Sequence, residues 1–228
     1  MKRRLFDFIK TDGGYILTSF SQKSYYDGDG IITELVIPAR HNFRPVVEIG
    51  ESAFTCAWNL EEITISEGIR KIGESAFQNC KKLRSVSLPA SLEAVDKRAF
   101  NYCEKLCEVE FKTDPSFGEF VFWHCNALPP ELILAGAVCS LDITRPLNSK
   151  MLRSELFIAN DLPNRTPWFC RPDVFALAAE NDGFRELGAD LLDELIDYCV
   201  RNNHPEQTAY FLDVKNRKFG STGDDLEL

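Results

Sequence analysis

A block of 23 residues recurs along the chain, and no other feature limits its fold as tightly. Ile49-Gly50-Glu51-Ser52-Ala53-Phe54 is followed by Leu60, Ile63 and Ile65. Ile72-Gly73-Glu74-Ser75-Ala76-Phe77 is followed by Leu83, Val86 and Leu88. Val95-Asp96-Lys97-Arg98-Ala99-Phe100 is followed by Leu106, Val109 and Phe111. A degenerate fourth copy carries Phe117-Gly118, Val121-Phe122, Leu128, Leu132 and Leu134, with one residue inserted after Leu128. Cys80, Cys103 and Cys125 share one column, three residues past each Phe; in the first copy Ala57 stands there and Cys56 falls one residue short.

The spacing has a physical reading. Leu-x-x-Ile-x-Ile ends in strict alternation, the pattern of a half-buried strand. Ala-Phe-x-x-Cys-x-x-Leu is spaced as a short helical turn with one apolar face. Gly50, Gly73 or Asp96 before it suits a tight corner with positive φ. One copy cannot bury this much apolar surface, so copies must stack, Phe on Phe and Ile on Val. The strands then form a parallel ladder spaced by about 4.8 Å. A doubly wound sheet needs about 30 residues for each βαβ crossover, so a 23-residue unit favours a solenoid.

Residues between the buried strand positions point outward and align in columns. These are Glu62, Ser85 and Glu108, then Thr64, Ser87 and Glu110, then Ser66, Pro89 and Lys112. Concave solenoid faces commonly bind partners, which makes this face the first binding candidate. It holds no aromatic anchor of the kind that dominates many interfaces. The second candidate is the convex side, where Trp58, Tyr102, Trp123 and His124 fall on or near the turn segments. Partial burial between neighbouring turns is the competing role for these rings.

The pattern Ile-Gly-x-x-Ala-Phe-x-x-Cys-x-x-Leu-x-x-Val-x-Leu-Pro resembles the BspA-like (type 5) leucine-rich repeats of bacteria. Ile72 to Pro89 fits at every marked position. The third copy departs with Asp96 for Gly and with Phe111-Lys112 at its end. Leu35-Val36-Ile37-Pro38 and Pro45 to Gly50 resemble the family's lead-in to the first full copy. The resemblance implies an α/β repeat fold, a right-handed leucine-rich-repeat solenoid with a parallel strand ladder over residues 35–135. It also implies a protein-interaction role. Relatives with adhesin roles normally carry export signals.

The ends differ in character. Residues 1–34 are expected to form a β capping unit, with Tyr15-Ile16-Leu17-Thr18 as a strand and Tyr25 to Gly30 as a turn. Residues 136–220 are expected to form a small all-α module, and 221–228 a disordered acidic tail. Pro172–Glu180 reads as a helix with Pro near N1. Leu187, Leu191, Leu195 and Cys199 recur every fourth residue, so 186–202 reads as an amphipathic helix. Pro205 opens another, and the pair is similar to an ankyrin-type helical hairpin.

Charge and residue usage exclude several classes. There are 26 Lys+Arg against 35 Asp+Glu, a net charge of −9, which suits no tight phosphate-backbone binder. Residues 1–46 hold 7 basic and 5 acidic side chains, net +2, so the remainder carries −9 − 2 = −11. No apolar run approaches the ~18 residues of a membrane span. Met1-Lys2-Arg3-Arg4 imitates the start of a signal peptide, but the apolar stretch after it is too short. A cytoplasmic location is therefore expected, with the cell surface or secretion by a less obvious route as the alternative. Eight Cys occur without a Cys-x-x-Cys pair, which fits reduced thiols rather than zinc or a disulfide framework. Three His and no nucleophile elbow, Walker loop or His-Glu-x-x-His motif give no sign of catalysis, metal or cofactor. The expected function is a non-catalytic protein–protein interaction scaffold with a protein partner. An adhesin-like protein is the alternative, and an enzyme with a site near His124 or His204 the remote one.

Overall fold

The computed structural model describes residues 5–21, 32–140, 142–143, 147–161 and 167–220. The expected turn at Tyr25 to Gly30 and the expected tail at 221–228 lie outside the described residues. The chain divides into two compact units, Met1–Leu141 and Asp142–Leu228.

Each coil of the first unit contributes to three hydrogen-bonded ladders. The first is the expected one. Strands β3 (Glu34–Ile37), β6 (Glu62–Ile65), β8 (Ser85–Ser87) and β10 (Glu108–Glu110) pair in parallel, in the order β10-β8-β6-β3. Their inward residues Leu35, Ile63, Val86 and Val109 are buried, as are Leu60, Leu83 and Leu106 ahead of them. The second ladder has no counterpart in the sequence pattern. It is built on the Ile of Ile-Gly: β5 (Arg44–Ile49), β7 (Lys71–Ile72), β9 (Ala94–Val95) and β11 (Ser116–Phe117) pair in parallel. At its amino-terminal side β2 (Tyr15–Phe20) pairs with β5, and β1 (Phe6–Lys10) closes antiparallel on β2. A short strand β4 (Arg40–His41) folds back on β5 as a hairpin.

The third ladder runs through the Ala-Phe-x-x-Cys segment, and it corrects the expected helical turn. Ala53, Thr55 and Ala57 donate their amides three residues back, to Gly50, Ser52 and Phe54. The intervening amides of Ser52, Phe54 and Cys56 cross to Glu74, Ala76 and Gln78 of the next coil, at 2.7–2.9 Å. The next coil repeats this with Ser75, Phe77 and Asn79 donating to Lys97, Ala99 and Asn101. A helix would direct every amide along its own axis. Here left-handed residues interrupt it twice per coil: Ser52 and Cys56, Ser75 and Asn79, Arg98 and Tyr102, Phe120 and His124, with φ from 56° to 63°. The positive φ thus falls on these residues, not on the glycines. Gly73 serves close approach instead, since a Cβ there would stand 2.9 Å from the Glu51 nitrogen of the preceding coil.

Inside the ladders the Phe rings stack as expected. Phe20, Phe54, Phe77, Phe100 and Phe122 follow one another at centroid distances of 5.2, 4.9, 5.1 and 5.8 Å. The thiols of Cys80, Cys103 and Cys125 reach the carbonyls of Phe54, Phe77 and Phe100 in the preceding coil, at 3.2, 3.2 and 3.0 Å. A small, weakly donating side chain suits a dry position beside a carbonyl. The neighbouring Cys103 thiol and burial hold the Cys80 pKa well above the ordinary range; burial and then Cys125 do the same for Cys103. Cys80 and Cys103 are therefore protonated at neutral pH.

The expected fourth strand at Leu132 and Leu134 is not formed. Helix α1 (Pro130–Val138) takes its place. Two consecutive prolines, Pro129 and Pro130, withhold the amides a ladder strand would donate, and Pro130 suits N1 of a helix. Gly136 brings α1 against Phe122, the last ring of the stack.

The second unit is helical. It contains α2 (Ser149–Asp161), a 3-10 turn (Trp168–Cys170), α3 (Pro172–Glu180), α4 (Ala189–Arg201) and α5 (Pro205–Phe219). The fourfold stripe Leu187, Leu191, Leu195 and Cys199 is fully buried. Phe184 meets Phe211 edge-on at 5.1 Å. Helix α2 adds to the helices expected from the sequence; Leu152 and Leu156 form its buried side.

Three outcomes test this architecture. Phe77→Ala removes a fully buried ring from the middle of the stack and should cost ~3–5 kcal/mol, read from denaturant unfolding. Ser52→Gly should instead stabilise by about 0.5 kcal/mol, because Ser52 is exposed and left-handed and the relief exceeds the added chain entropy. In a native thiol titration the exposed Cys107 should react ahead of Cys80, Cys103 and Cys125, which should report only on unfolding. Fast reaction of those three would contradict the core assignment.

Candidate functional site

The first ladder places one row of side chains from every coil on its outer face. Parallel register sets Glu34 beside Glu62, Glu62 beside Ser85, and Ser85 beside Glu108. Two residues on, Val36, Thr64, Ser87 and Glu110 form a second row. Successive strands lie about 4.8 Å apart, so these rows are fixed to within a side chain's reach. A depression of about 120 Å³ opens between them, lined in part by Glu62, Thr64, Ser85, Ser87, Glu108 and Glu110.

The strands therefore bring six of the expected strand-face residues together. Ser66 and Lys112 lie just past the ends of β6 and β10, Ser66 half-buried and Lys112 exposed. Pro89, expected in the same column, is buried. Glu34 and Val36 join the face although the columns legible in the sequence begin at Glu62. The period hides them, because β3 precedes β6 by 28 residues, not 23. Val36 is 63 % exposed and is the apolar member of its row.

The electrostatics of the face are one-sided. Glu34 and Glu62 sit side by side with the same charge, an arrangement that opposes pairing. Ser85 separates Glu62 from Glu108. The Ser87 hydroxyl donates to a Glu110 carboxylate oxygen at 2.6 Å and holds that side chain along the face. Chemically the face offers carboxylate acceptors, hydroxyls and one apolar patch. That set suits cationic and amide donors from a partner.

The convex candidates separate. Tyr102, Trp123 and His124 converge: His124 lies 4.5 Å from the Tyr102 ring and stacks on Trp123 at 4.6 Å. Phe120 packs on Trp123 at 4.8 Å, with the Arg98 guanidinium 5.8 Å from the Phe120 centroid. His124 is only 4 % exposed, so much of this cluster is packing between coils. Trp58 stands two coils away and is exposed. His41 is on the β4–β5 hairpin, where it stacks on Phe8, and His204 directly precedes α5 and stacks on Tyr198 within the helical unit. The helical unit has its own groove of about 320 Å³ between α4 and α5, where Val200 and Leu212 are exposed; nothing in the sequence pattern marks it.

Comparison with solved structures finds similar proteins. The leucine-rich repeat protein of T. pallidum is 28% identical over 55% of this chain and 56% of its own, with a TM-score of 0.47. A leucine-rich repeat protein from Bacteroides capillosus is 28% identical over 54% of this chain and 90% of its own, with a TM-score of 0.43. A leucine-rich cell surface protein from Faecalibacterium prausnitzii is 23% identical over 57% and 35%, with a TM-score of 0.44. The chain thus spans little more than half the length of the T. pallidum protein. No curated protein matches it. No helix among the described residues is long and apolar enough to cross a membrane. Six copies of the BspA type leucine rich repeat region match residues 18–132, in line with the coils, ladders and Phe stack, and the chain belongs to that family.

Proposed function

We propose that the chain is a non-catalytic protein-interaction scaffold whose working surface is the strand face. The observation that carries this reading is the register. Glu34, Glu62 and Glu108, with Val36, Thr64, Ser87 and Glu110, are held in two rows by a ladder that cannot slip without breaking the core. Sites built on strands over a packed core are preorganised, which limits the entropy lost on binding. Four carboxylates in these rows select a partner rich in Lys or Arg. Ser66 and Lys112 would border the footprint, and Trp58 and Trp123 would remain for a second contact on the turn side.

Location in a reducing compartment, the cytoplasm, goes with this reading. Cys80, Cys103 and Cys125 are buried thiols in the core column, each donating to a backbone carbonyl, and that role requires them to stay reduced. Cell fractionation that places the protein only at the cell surface would move the partner outside the cell.

Affinity capture from the source organism, read by mass spectrometry, tests the face. The comparison bait carries Glu62→Lys and Glu108→Lys, which reverse two exposed charges without touching the core. A partner held by the native chain should be lost or weakened at least tenfold by the double variant, about 1.4 kcal/mol. Equal retention by both baits would remove the strand face as the site.

A further inference from the structure

One coil breaks the period, and it does so by an insertion. Face strands β6, β8 and β10 follow one another at 23 residues, whereas β3 precedes β6 by 28. The five additional residues make up the hairpin Arg40–Arg44, in which His41 pairs with Arg44 across Asn42 and Phe43. Both turn residues have positive φ, 46° and 64°. The second position of such a turn is ordinarily glycine, because a bulky side chain there is strained. Here it is Phe43, and its side chain is 97 % exposed. Among the described residues no packing offsets that strain.

The hairpin is nevertheless held firmly at its base. The His41 ring stacks on Phe8 at 4.1 Å and meets Tyr15 edge-on at 4.8 Å. The Val46 amide donates to the Ala39 carbonyl at 2.9 Å. The tip thus presents an exposed aromatic ring on a packed base, between two exposed arginines, Arg40 and Arg44. Aromatic and arginine side chains are the usual energetic centres of interfaces. The tip also belongs to the net-basic first part of the chain, +2 over residues 1–46 against −11 over the rest.

We propose that the Arg40–Arg44 hairpin of one copy docks on the strand face of a second copy. Phe43 lies on Val36 and Thr64, and the two arginines meet Glu34, Glu62 and Glu108. This rests on the strand face being the binding surface and names its partner. The complementarity is in charge and polarity: the face sets Glu34 and Glu62 near exposed Val36, with Glu108 farther along the same row, and the tip has two arginines beside one exposed ring. It also removes the like-charge repulsion of the Glu34 and Glu62 neighbours. The two surfaces differ, so the contact is heterologous. Each bound copy keeps a free tip or a free face, and association continues with concentration.

Sedimentation of the whole chain tests this directly. The weight-average mass should rise about twofold or more between about 5 and 300 μM at low salt, and fall back toward the monomer at about 0.5 M salt. Phe43→Gly with Arg44→Glu should remain monomeric. It should fold at least as well as the native chain, because glycine suits the turn. Glu62→Lys with Glu108→Lys should also remain monomeric. Mixed one to one, the two variants should form a dimer and stop, since only one intact tip and one intact face remain per pair. A native chain that stays monomeric throughout overturns the proposal. So does a hairpin variant that associates like the native chain. If the face variant alone loses association while the hairpin variant keeps it, the strand face stands as a binding surface and this partner falls. A captured partner bound through the face by a strictly monomeric chain likewise keeps the face and overturns the self-association.

Discussion

The amides that cross from Ser52, Phe54 and Cys56 to the next coil are the constraint on which the first unit depends. A coil that left the Phe54 amide bond to the next coil unmade would bury an unpaired donor beside an apolar stack, at roughly 1–3 kcal/mol. Making the crossing bonds requires two left-handed residues in every coil. The sequence meets that requirement with Ser, Cys, Asn, Arg, Tyr, Phe and His rather than glycine. Backbone strain of this kind persists only where the surroundings over-determine it. Here the Phe stack, the two strand ladders and the Cys thiols all fix the same 23-residue rise. The column of cysteines is part of the solution: a thiol is small enough for this buried position and still donates to the carbonyl of the preceding Phe.

What can be read from the sequence follows from which positions carry a side-chain signal. The Phe, Leu and Ile columns are apolar and periodic, and the strand ladder, the ring stack and the buried thiols are all present where those columns place them. The second ladder rests on two-residue strands such as Lys71–Ile72, too short to show alternation. The crossing amides are backbone events, and no residue type marks them once glycine is not used. Leu132 and Leu134 fit the strand template by spacing alone, and the Pro129-Pro130 pair is the contrary signal that decides against it. On the strand face, alternation marks Glu62 to Glu110. It does not mark Glu34 and Val36, because five inserted residues displace them from the period. Helix α4 announces itself by a clean fourfold stripe, whereas α2 buries only Leu152 and Leu156 among its described side chains.

The rigidity of the ladders has an electrostatic consequence. In a parallel sheet of stacked repeats, each residue faces its own counterpart in the next coil. A glutamate column therefore repels itself. Opposite-charge neighbours are the usual remedy, and other columns of the unit use them: Lys81 pairs with Glu104 and Arg70 with Glu93. The strand face does so less. Ser85 dilutes one row and the Ser87 hydroxyl engages Glu110, but Glu34 and Glu62 remain adjacent. A face that keeps unfavourable charge neighbours in register has free energy to regain from an arriving cation. That gain is specific to the bound state, because no rearrangement of the ladder can deliver it in the free chain.

Periodicity also decides where variation can occur. Inserting a residue within a ladder would shift every inward side chain of that strand outward. Inserting between the ladders leaves all three intact, and the five residues Arg40 to Arg44 are placed there. The fold tolerates them together with one strained phenylalanine that contributes no packing. Glycine at position 43 would remove the strain and leave every described ladder unchanged. The strained ring therefore cannot be explained by the stability of the coil that carries it. The proposed docking on the strand face of a second copy would give that ring a contact.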